Sequence, residues 1–186
     1  MKKSKIAKAV LFITMMLLCT SATGCAIMTV ENFASKESIY KSDDKNETIT
    51  APFAWSNDDD LNEDSILHIS NVIDDDYVVV IKDTKDSLGE DIELNDYADL
   101  VKSNLENEIK DADSSELKDV EVNGYHAKYF KLAGEYSDTK ITYLYYCVET
   151  SDSFYQVIGW SSTTGFKDNE DEIKKIMNSF KAKKEL

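Results

Sequence analysis

The feature that most constrains the fold is a run of five consecutive apolar residues at positions 77–81, Tyr-Val-Val-Val-Ile. A strand with one face in water alternates apolar and polar residues, because successive side chains point to opposite faces of the sheet. This run does not alternate, which is typical of a strand that is covered on both faces. It therefore predicts a central strand with packed layers on both sides of the sheet.

Six further segments predict strands around this one. Residues 49–55 contain the only proline, Pro52, which predicts an edge strand because proline cannot donate a ladder hydrogen bond. Asn123 and Gly124 predict a tight hairpin, since an Asn-Gly pair readily adopts the positive φ angles of a type I′ turn. The predicted strands are residues 49–55, 66–73, 77–81, 118–122, 125–132, 140–149 and 154–161.

Two segments have the apolar spacing of helices. The first covers residues 94–109, with Asn95 and Asp96 near its positive amino end. The second carries an apolar stripe near the carboxyl terminus, and the spacing of Asn169 and Glu172 predicts a capping box at its start. Together these elements predict an α+β fold, an antiparallel sheet of about six to seven strands flanked by helices in an α/β/α sandwich.

The first 25 residues have the organisation of an export signal. Lysines precede an eleven-residue apolar run at 9–19, which is shorter than the about 20 residues that span a bilayer. Small residues then lead to Cys25, and Ala22 and Gly24 suit the small subsites of a signal peptidase. This segment resembles a bacterial lipobox, although Ala22 stands where leucine is usual. The resemblance implies that Cys25 carries a thioether-linked diacylglycerol and becomes the new amino terminus.

This interpretation divides the chain into three parts. Residues 1–24 are a lipoprotein signal peptide, residues 25–48 a polar, lipid-anchored flexible tether, and residues 49–186 a single folded domain. The alternatives are an ordinary secretory signal that is cut nearby, and an uncleaved anchor extended by the weakly apolar residues 26–30. The lipoprotein interpretation predicts a protein on the extracytoplasmic face of the cell membrane, held there by its lipid.

The charge balance argues against nucleic acid as a partner. Removing the four lysines of the signal from the total of 21 leaves 17 against 36 acidic residues, a net charge of −19. Phosphate backbones and anionic headgroups repel such a chain. All its basic residues are lysines, so it lacks the arginine fork that holds phosphates in a bidentate grip. Cys147 is the one cysteine outside the targeting segment, which excludes an internal disulfide framework.

Several short motifs of the folded part resemble PsbP-like lipoproteins of Gram-positive bacteria. They are Pro-Phe-Ala-Trp at 52–55, Asn71 with the strand at 77–81, Asn-Gly-Tyr-His-Ala at 123–127, residues 154–160, and Asn-Ser-Phe at 178–180. The resemblance extends over nearly the whole mature domain and consists of packing and turn positions. It implies a PsbP-type α/β/α fold with a binding, assembly or accessory role, and it brings no catalytic motif.

One acidic loop has the spacing of a calcium site. Asp58, Asp60, Asn62 and Asp64 occupy positions 1, 3, 5 and 7, from which oxygen ligands wrap calcium in an EF-hand. The pattern then fails, because position 6 is Glu63 instead of glycine and position 12 is an isoleucine instead of glutamate. A solvated acidic loop is the favoured interpretation, and we expect neither a bound metal nor a cofactor.

Two histidines and one cysteine are the remaining candidates for catalysis. His68 and His126 lie in different predicted strands without metal-binding spacing, which favours a place on the strand surface or a half-buried side chain. Cys147 lies in an apolar strand, where a small buried thiol is commoner than a nucleophile. Residues 159–162, Gly-Trp-Ser-Ser, are similar to a nucleophile elbow, but Thr163 replaces its second glycine.

Two classes of function follow. The favoured one is a membrane-anchored lipoprotein that acts as a binding or accessory module at the cell envelope, a monomer with an envelope protein as partner and without enzyme activity. The alternative is an envelope enzyme of the hydrolase type with a site around His68 or His126. Tyrosines of the last hairpin, beside Trp160, either fill the core or anchor a partner from an open face, and core packing is the favoured use.

Overall fold

The computed structural model describes residues 36–89 and 92–183. The predicted signal peptide, Cys25 and the first part of the predicted tether lie outside these residues. The described strands are β1 (Glu37–Lys41), β2 (Glu47–Pro52), β3 (Ser56–Asn57), β4 (Ser65–Asn71), β5 (Asp76–Thr84), β6 (Lys110–Ser114), β7 (Lys118–Val122), β8 (Tyr125–Tyr136), β9 (Thr139–Glu149), β10 (Ser153–Ser162) and β11 (Lys181–Ala182). The described helices are α1 (Lys85–Leu88), α2 (Leu94–Glu108) and α3 (Thr163–Asn178).

Eight of the described strands form one antiparallel sheet. Its path is β3-β4-β5-β10-β9-β8-β6, and β7 pairs with the first part of β8 while β6 pairs with the second. Asn123 and Gly124 form the turn between β7 and β8, with φ angles of 50° and 83°, as the dipeptide predicts. The predicted α+β fold is confirmed. The sheet has eight strands, more than the predicted six to seven. The prediction missed β3 and β6, because these strands are short and polar and carry no strand signal in the sequence.

Strand β5 lies inside this sheet and is covered on both faces, as its unbroken apolar run predicts. Val78 and Val80 belong to the core beneath α3, and Val79 belongs to the core beneath α2. The first core also contains Ile173 and Met177 of α3, whereas the second is closed by the apolar stripe of α2. The two helices therefore form the outer layers of an α/β/α sandwich.

Helix α3 approaches the sheet closely at Gly159 of β10. A Cβ atom at this position would meet Ile173 Cγ2 and would lie 2.8 Å from Met177 Sδ. Both side chains are fully buried, so they have little room to move. The absence of a side chain at Gly159 is what allows helix and sheet to pack at this distance.

The sequence prediction for the amino-terminal part is wrong at its boundary. Residues 37–48 belong to the predicted tether, yet Glu37–Lys41 form β1 and pair with β2 in a three-stranded sheet of order β1-β2-β11. The segment is polar, but Glu47 within it is buried. Its burial is possible because the carboxylate accepts hydrogen bonds from Lys82 Nζ (3.1 Å), Tyr155 Oη (2.9 Å) and Ser42 Oγ (2.8 Å). A polar segment is thus part of the fold through partners that are distant in sequence.

Two finer predictions also need correction. Strand β2 lies between β1 and β11 and not at an edge, but β11 pairs only with Glu47 and Thr48, so Pro52 meets no ladder on that side. Helix α3 begins at Thr163, six residues before Asn169, and its N-cap is Ser162, whose Oγ accepts a hydrogen bond from the Gly165 N–H at 3.2 Å. The first turn of α3 contributes only Phe166 to the core, so apolar spacing does not reveal it.

Candidate functional site

The acidic loop with calcium-like spacing connects β3 and β4. Asp60 and Asp64 are exposed, and Asp58 and Asn62 are half-buried. Asn62 Oδ1 accepts a hydrogen bond from the backbone N–H of Asp64 at 2.8 Å, so this oxygen closes a turn. Across the part of the chain that the structure describes, no three or more His, Cys, Asp or Glu side chains are grouped to hold a metal ion.

The fold keeps the two histidines apart. His68 lies in β4 and His126 lies in β8, and strands β5, β10 and β9 run between them. With about 4.8 Å between neighbouring strands, the two positions are about 19 Å apart across the sheet. A single site cannot therefore use both imidazoles.

His68 nevertheless has the neighbours of a catalytic base. Its Nδ1 lies 3.0 Å from Ser65 Oγ and its Nε2 lies 3.0 Å from Asp59 Oδ1, so a hydroxyl, an imidazole and a carboxylate form a chain. Ser65 Oγ also lies 2.8 Å from the carbonyl oxygen of Asn62, which competes for the hydroxyl proton. The side chain of Asp59 is 88% exposed, so water and salt screen its electrostatic interaction with the imidazole. This arrangement supplies a hydroxyl and a base at the surface of the domain.

The thiol and the aromatic residues of the last hairpin belong to the core. Cys147 is fully buried, and burial, reinforced by the nearby Asp83, raises the pKa of its thiol well above the usual value. Such a thiol does not form the reactive thiolate at neutral pH. The aromatic side chains of this hairpin are buried as well, which confirms core packing as their use: Tyr143, Tyr145, Tyr146, Tyr155 and Trp160.

A buried carboxyl group lies where the sequence indicates only a polar turn. Asp76 begins β5, is 1% exposed, and its Oδ1 accepts no hydrogen bond within the described residues. Ser161, opposite it at the end of β10, is fully buried, and its hydroxyl likewise has no partner among the described residues. Burial raises the pKa of Asp76 to about 6, and the carboxylates of Asp74 and Glu172 add to this rise. The nearby polar side chains of Ser161 and Asn169 oppose part of it, although the Ser161 hydroxyl lies outside hydrogen-bonding geometry.

A period of two could have revealed Asp76. Residues 76, 78 and 80 share one face of β5, and the side chains of Val78 and Val80 point into the core beneath α3. Asp76 continues that face and is therefore carried under the start of α3. Asp76 follows the exposed Asp74 and Asp75, and a run of three aspartates is typical of a polar turn, which hides this alternation.

The hairpin between β4 and β5 exposes two apolar side chains next to this carboxyl group. Val72 is 71% exposed and Ile73 is 83% exposed, and we call this pair the apolar tip. The side chain of Asn71, which is 2% exposed, fastens the turn. Its Nδ2 donates to Asp74 Oδ2 at 2.7 Å, and its Oδ1 accepts from the Ile73 N–H at 3.2 Å.

The same fold occurs in solved structures. The solution structure of cyanobacterial PsbP (CyanoP) from Synechocystis sp. PCC 6803 is similar with a TM-score of 0.59 at 12% identity, covering 88% of this chain and 98% of that chain. The crystal structure of LpqN, involved in cell envelope biogenesis of Mycobacterium tuberculosis, gives 0.60 at 14% identity, with 80% and 91% covered. These similarities confirm that the fold is PsbP-like.

A crystal structure from Bacteroides thetaiotaomicron VPI-5482 is similar with a TM-score of 0.57 at 15% identity, covering 82% of this chain. This chain spans only 50% of that protein's length. No protein-family model matches the chain, and no curated protein sequence does. Identities this low establish the shared fold alone.

Proposed function

We propose that this chain is a lipoprotein of the PsbP-like kind found in Gram-positive bacteria, anchored to the extracytoplasmic face of the cell membrane. Its folded domain acts there as a binding or accessory module for an envelope protein. The observation that carries the proposal is the export-type segment ending at Cys25, which precedes a domain of PsbP-like fold. One relative in fold, LpqN, is involved in cell envelope biogenesis, and this supports the same compartment.

A lipid on Cys25 would limit how far the domain can stand from the membrane. With Cys25 as the lipidated amino terminus and β1 beginning at Glu37, about 12 residues connect lipid and fold, and these reach at most about 40 Å when extended. Two acyl chains would hold the protein stably, at about 0.8 kcal/mol per buried methylene. Among the described residues, no helix is both long and apolar enough to cross a bilayer.

The test is a Cys25→Ala variant expressed in the cell from which the chain comes. We expect it to be lost from the membrane fraction and to stop incorporating labelled fatty acid. Cys19→Ala is the matched control, because Cys19 lies in the apolar run of the signal and is removed with it. Membrane retention of the Cys25→Ala variant after a carbonate wash would contradict the lipid anchor.

A second candidate function is a surface hydrolase, favoured by the chain of Ser65, His68 and Asp59. In this role Ser65 is the nucleophile and His68 the base, with Asp59 orienting the imidazole. Hydrolysis of p-nitrophenyl esters should then be lost in both Ser65→Ala and His68→Ala and kept in His126→Ala. Equal rates in all three variants would exclude this site.

A further inference from the structure

The apolar tip is unusual for a chain of this composition. An isolated exposed apolar residue is common on protein surfaces, but Val72 and Ile73 are adjacent and are the two most exposed large apolar side chains in the described residues. The chain has a net charge of −15 and a mean hydropathy of −0.41, so polar residues are abundant in it. A hairpin turn of such a chain does not need apolar residues at its tip. The fold of the domain does not bury either side chain.

The turn holds the tip in a fixed shape. Three hydrogen bonds close it: the two made by the Asn71 side chain, and the Asp74 N–H donating to the Asn71 carbonyl oxygen at 3.2 Å. Asp75 completes the turn with a φ of 56°, and the carbonyl oxygen of Asp74 faces the start of α3 near Gly165. A turn whose backbone is already held by hydrogen bonds loses little backbone entropy when a partner covers its side chains.

The surroundings of the tip are acidic. Asp74 and Asp75 are exposed beside it, and neither takes part in any ion pair of the described residues. Behind them, the charged groups that act on Asp76 are Asp74 and Glu172, both carboxylates. This acidic flank attracts a positively charged surface and repels an anionic one.

We infer that the apolar tip and its acidic flank form the surface that binds a protein partner with a basic rim around an apolar pocket. The inference rests on the proposed function and names the surface and the partner chemistry for it. Anionic lipid headgroups are disfavoured as the occupant, because Asp74 and Asp75 would approach them first. A second copy of this chain is disfavoured because it would present the same carboxylates.

The experiment places a photo-crosslinking residue, p-benzoylphenylalanine, at position 73 of the full chain in intact cells of the source organism. Ile39, 65% exposed on β1, and Asp119, 87% exposed on β7, provide matched positions elsewhere on the surface. We expect one protein to be captured from position 73 and not from 39 or 119, and mass spectrometry to identify it. Its sequence and surface are expected to be basic around the captured segment.

The captured protein is then purified for equilibrium binding. Ile73→Ser should weaken binding about 10-fold or more, as removal of a central apolar anchor does, whereas Ile39→Ser should leave it unchanged. Asp75→Asn should weaken binding severalfold at low salt and little at high salt, because it removes a rim charge. Asp75 is chosen over Asp74 because the Asp74 carboxylate fastens the turn, and circular dichroism of each variant shows that the fold is kept.

The other outcomes overturn the inference. Capture from position 39 or 119 but not from 73 refutes this surface and leaves the binding module intact. Capture from none of the three positions refutes both this binding surface and the proposed role as a binding module. Crosslinking of two copies through position 73 would identify a dimer contact instead, and binding to phosphatidylglycerol vesicles that Ile73→Ser abolishes would identify a membrane contact. An unchanged dissociation constant for Ile73→Ser refutes the role of the tip directly.

Discussion

Replacing Asp76 by asparagine should change how stability depends on pH. The carboxyl group is 1% exposed, and its pKa rises from 3.8 to about 6 on folding, chiefly through burial. Between these two values the folded chain binds the proton and the unfolded chain releases it. The free energy of unfolding therefore falls as the pH rises from about 4 to about 6, and the loss persists above pH 6.

The size of this effect follows from the shift. One pKa unit corresponds to about 1.4 kcal/mol, so a rise of about two units lowers the stability by about 3 kcal/mol at pH 7 relative to pH 3. The amide that replaces the carboxyl group in Asp76→Asn has no proton to lose, so the variant should escape this loss. The stability difference between Asp76→Asn and the wild type should then increase by about 3 kcal/mol across the same interval, in favour of the variant.

Urea denaturation of both proteins at closely spaced pH values measures this difference. Fluorescence of Trp55 and Trp160 reports unfolding, because both indoles are buried. Asp75→Asn is the control, since Asp75 is exposed and asparagine tolerates its positive φ. Taking differences between variants cancels the titration of the other carboxylates. A difference that stays flat from pH 3 to pH 7, or one that Asp75→Asn reproduces, would refute the argument.

Three further predictions concern the packing of the core. Gly159→Ala should destabilise the domain by about 1–3 kcal/mol in urea denaturation, because the new methyl group meets Ile173 and Met177. Glu47→Ala should cost about 2 kcal/mol or more, since Lys82 and two hydroxyl groups lose their shared acceptor. The Cys147 thiol should react with Ellman's reagent only as fast as the domain unfolds, because it is fully buried.

Each of these has an outcome that would contradict it. A Gly159→Ala variant as stable as the wild type would mean that helix and sheet do not approach this closely. Glu37→Ala is the control for Glu47→Ala: Glu37 is 48% exposed and pairs with Lys175 at the surface, so its loss should cost at most about 1 kcal/mol. Immediate labelling of Cys147 in the folded protein would show that the thiol is accessible.

The sequence allows prediction of the elements whose apolar pattern is local. The run at 77–81 predicts β5, the Asn123-Gly124 pair predicts the β7–β8 hairpin, and the helical spacing of residues 94–109 predicts α2. In each case the residues that determine the structure lie within a single strand, hairpin turn or helix. The α/β/α layering follows because a doubly covered strand requires two layers.

Contacts between residues distant in sequence could not be predicted in this way. Burial of Glu47 depends on Lys82 and Tyr155, which lie 35 and 108 residues further along the chain. Asp59 meets His68 only because the loop before β4 folds back along it. Polarity alone indicated tether and loop at these places, since composition does not show which polar side chains find partners.

Several unfavourable features of the described residues lie together at one end of the β4–β5 hairpin. Ile73 is exposed, Asp75 has a positive φ, and Asp76 and Ser161 are buried with polar atoms that lack partners in the described residues. Each feature alone reduces stability or solubility, and a leucine or valine at position 76 would suit the core face of β5. Local rules of folding are most often broken at functional sites, where another constraint outweighs stability. The strained Asp75 and the buried Asp76 and Ser161 lie beside the apolar tip, and this supports placing the binding surface there.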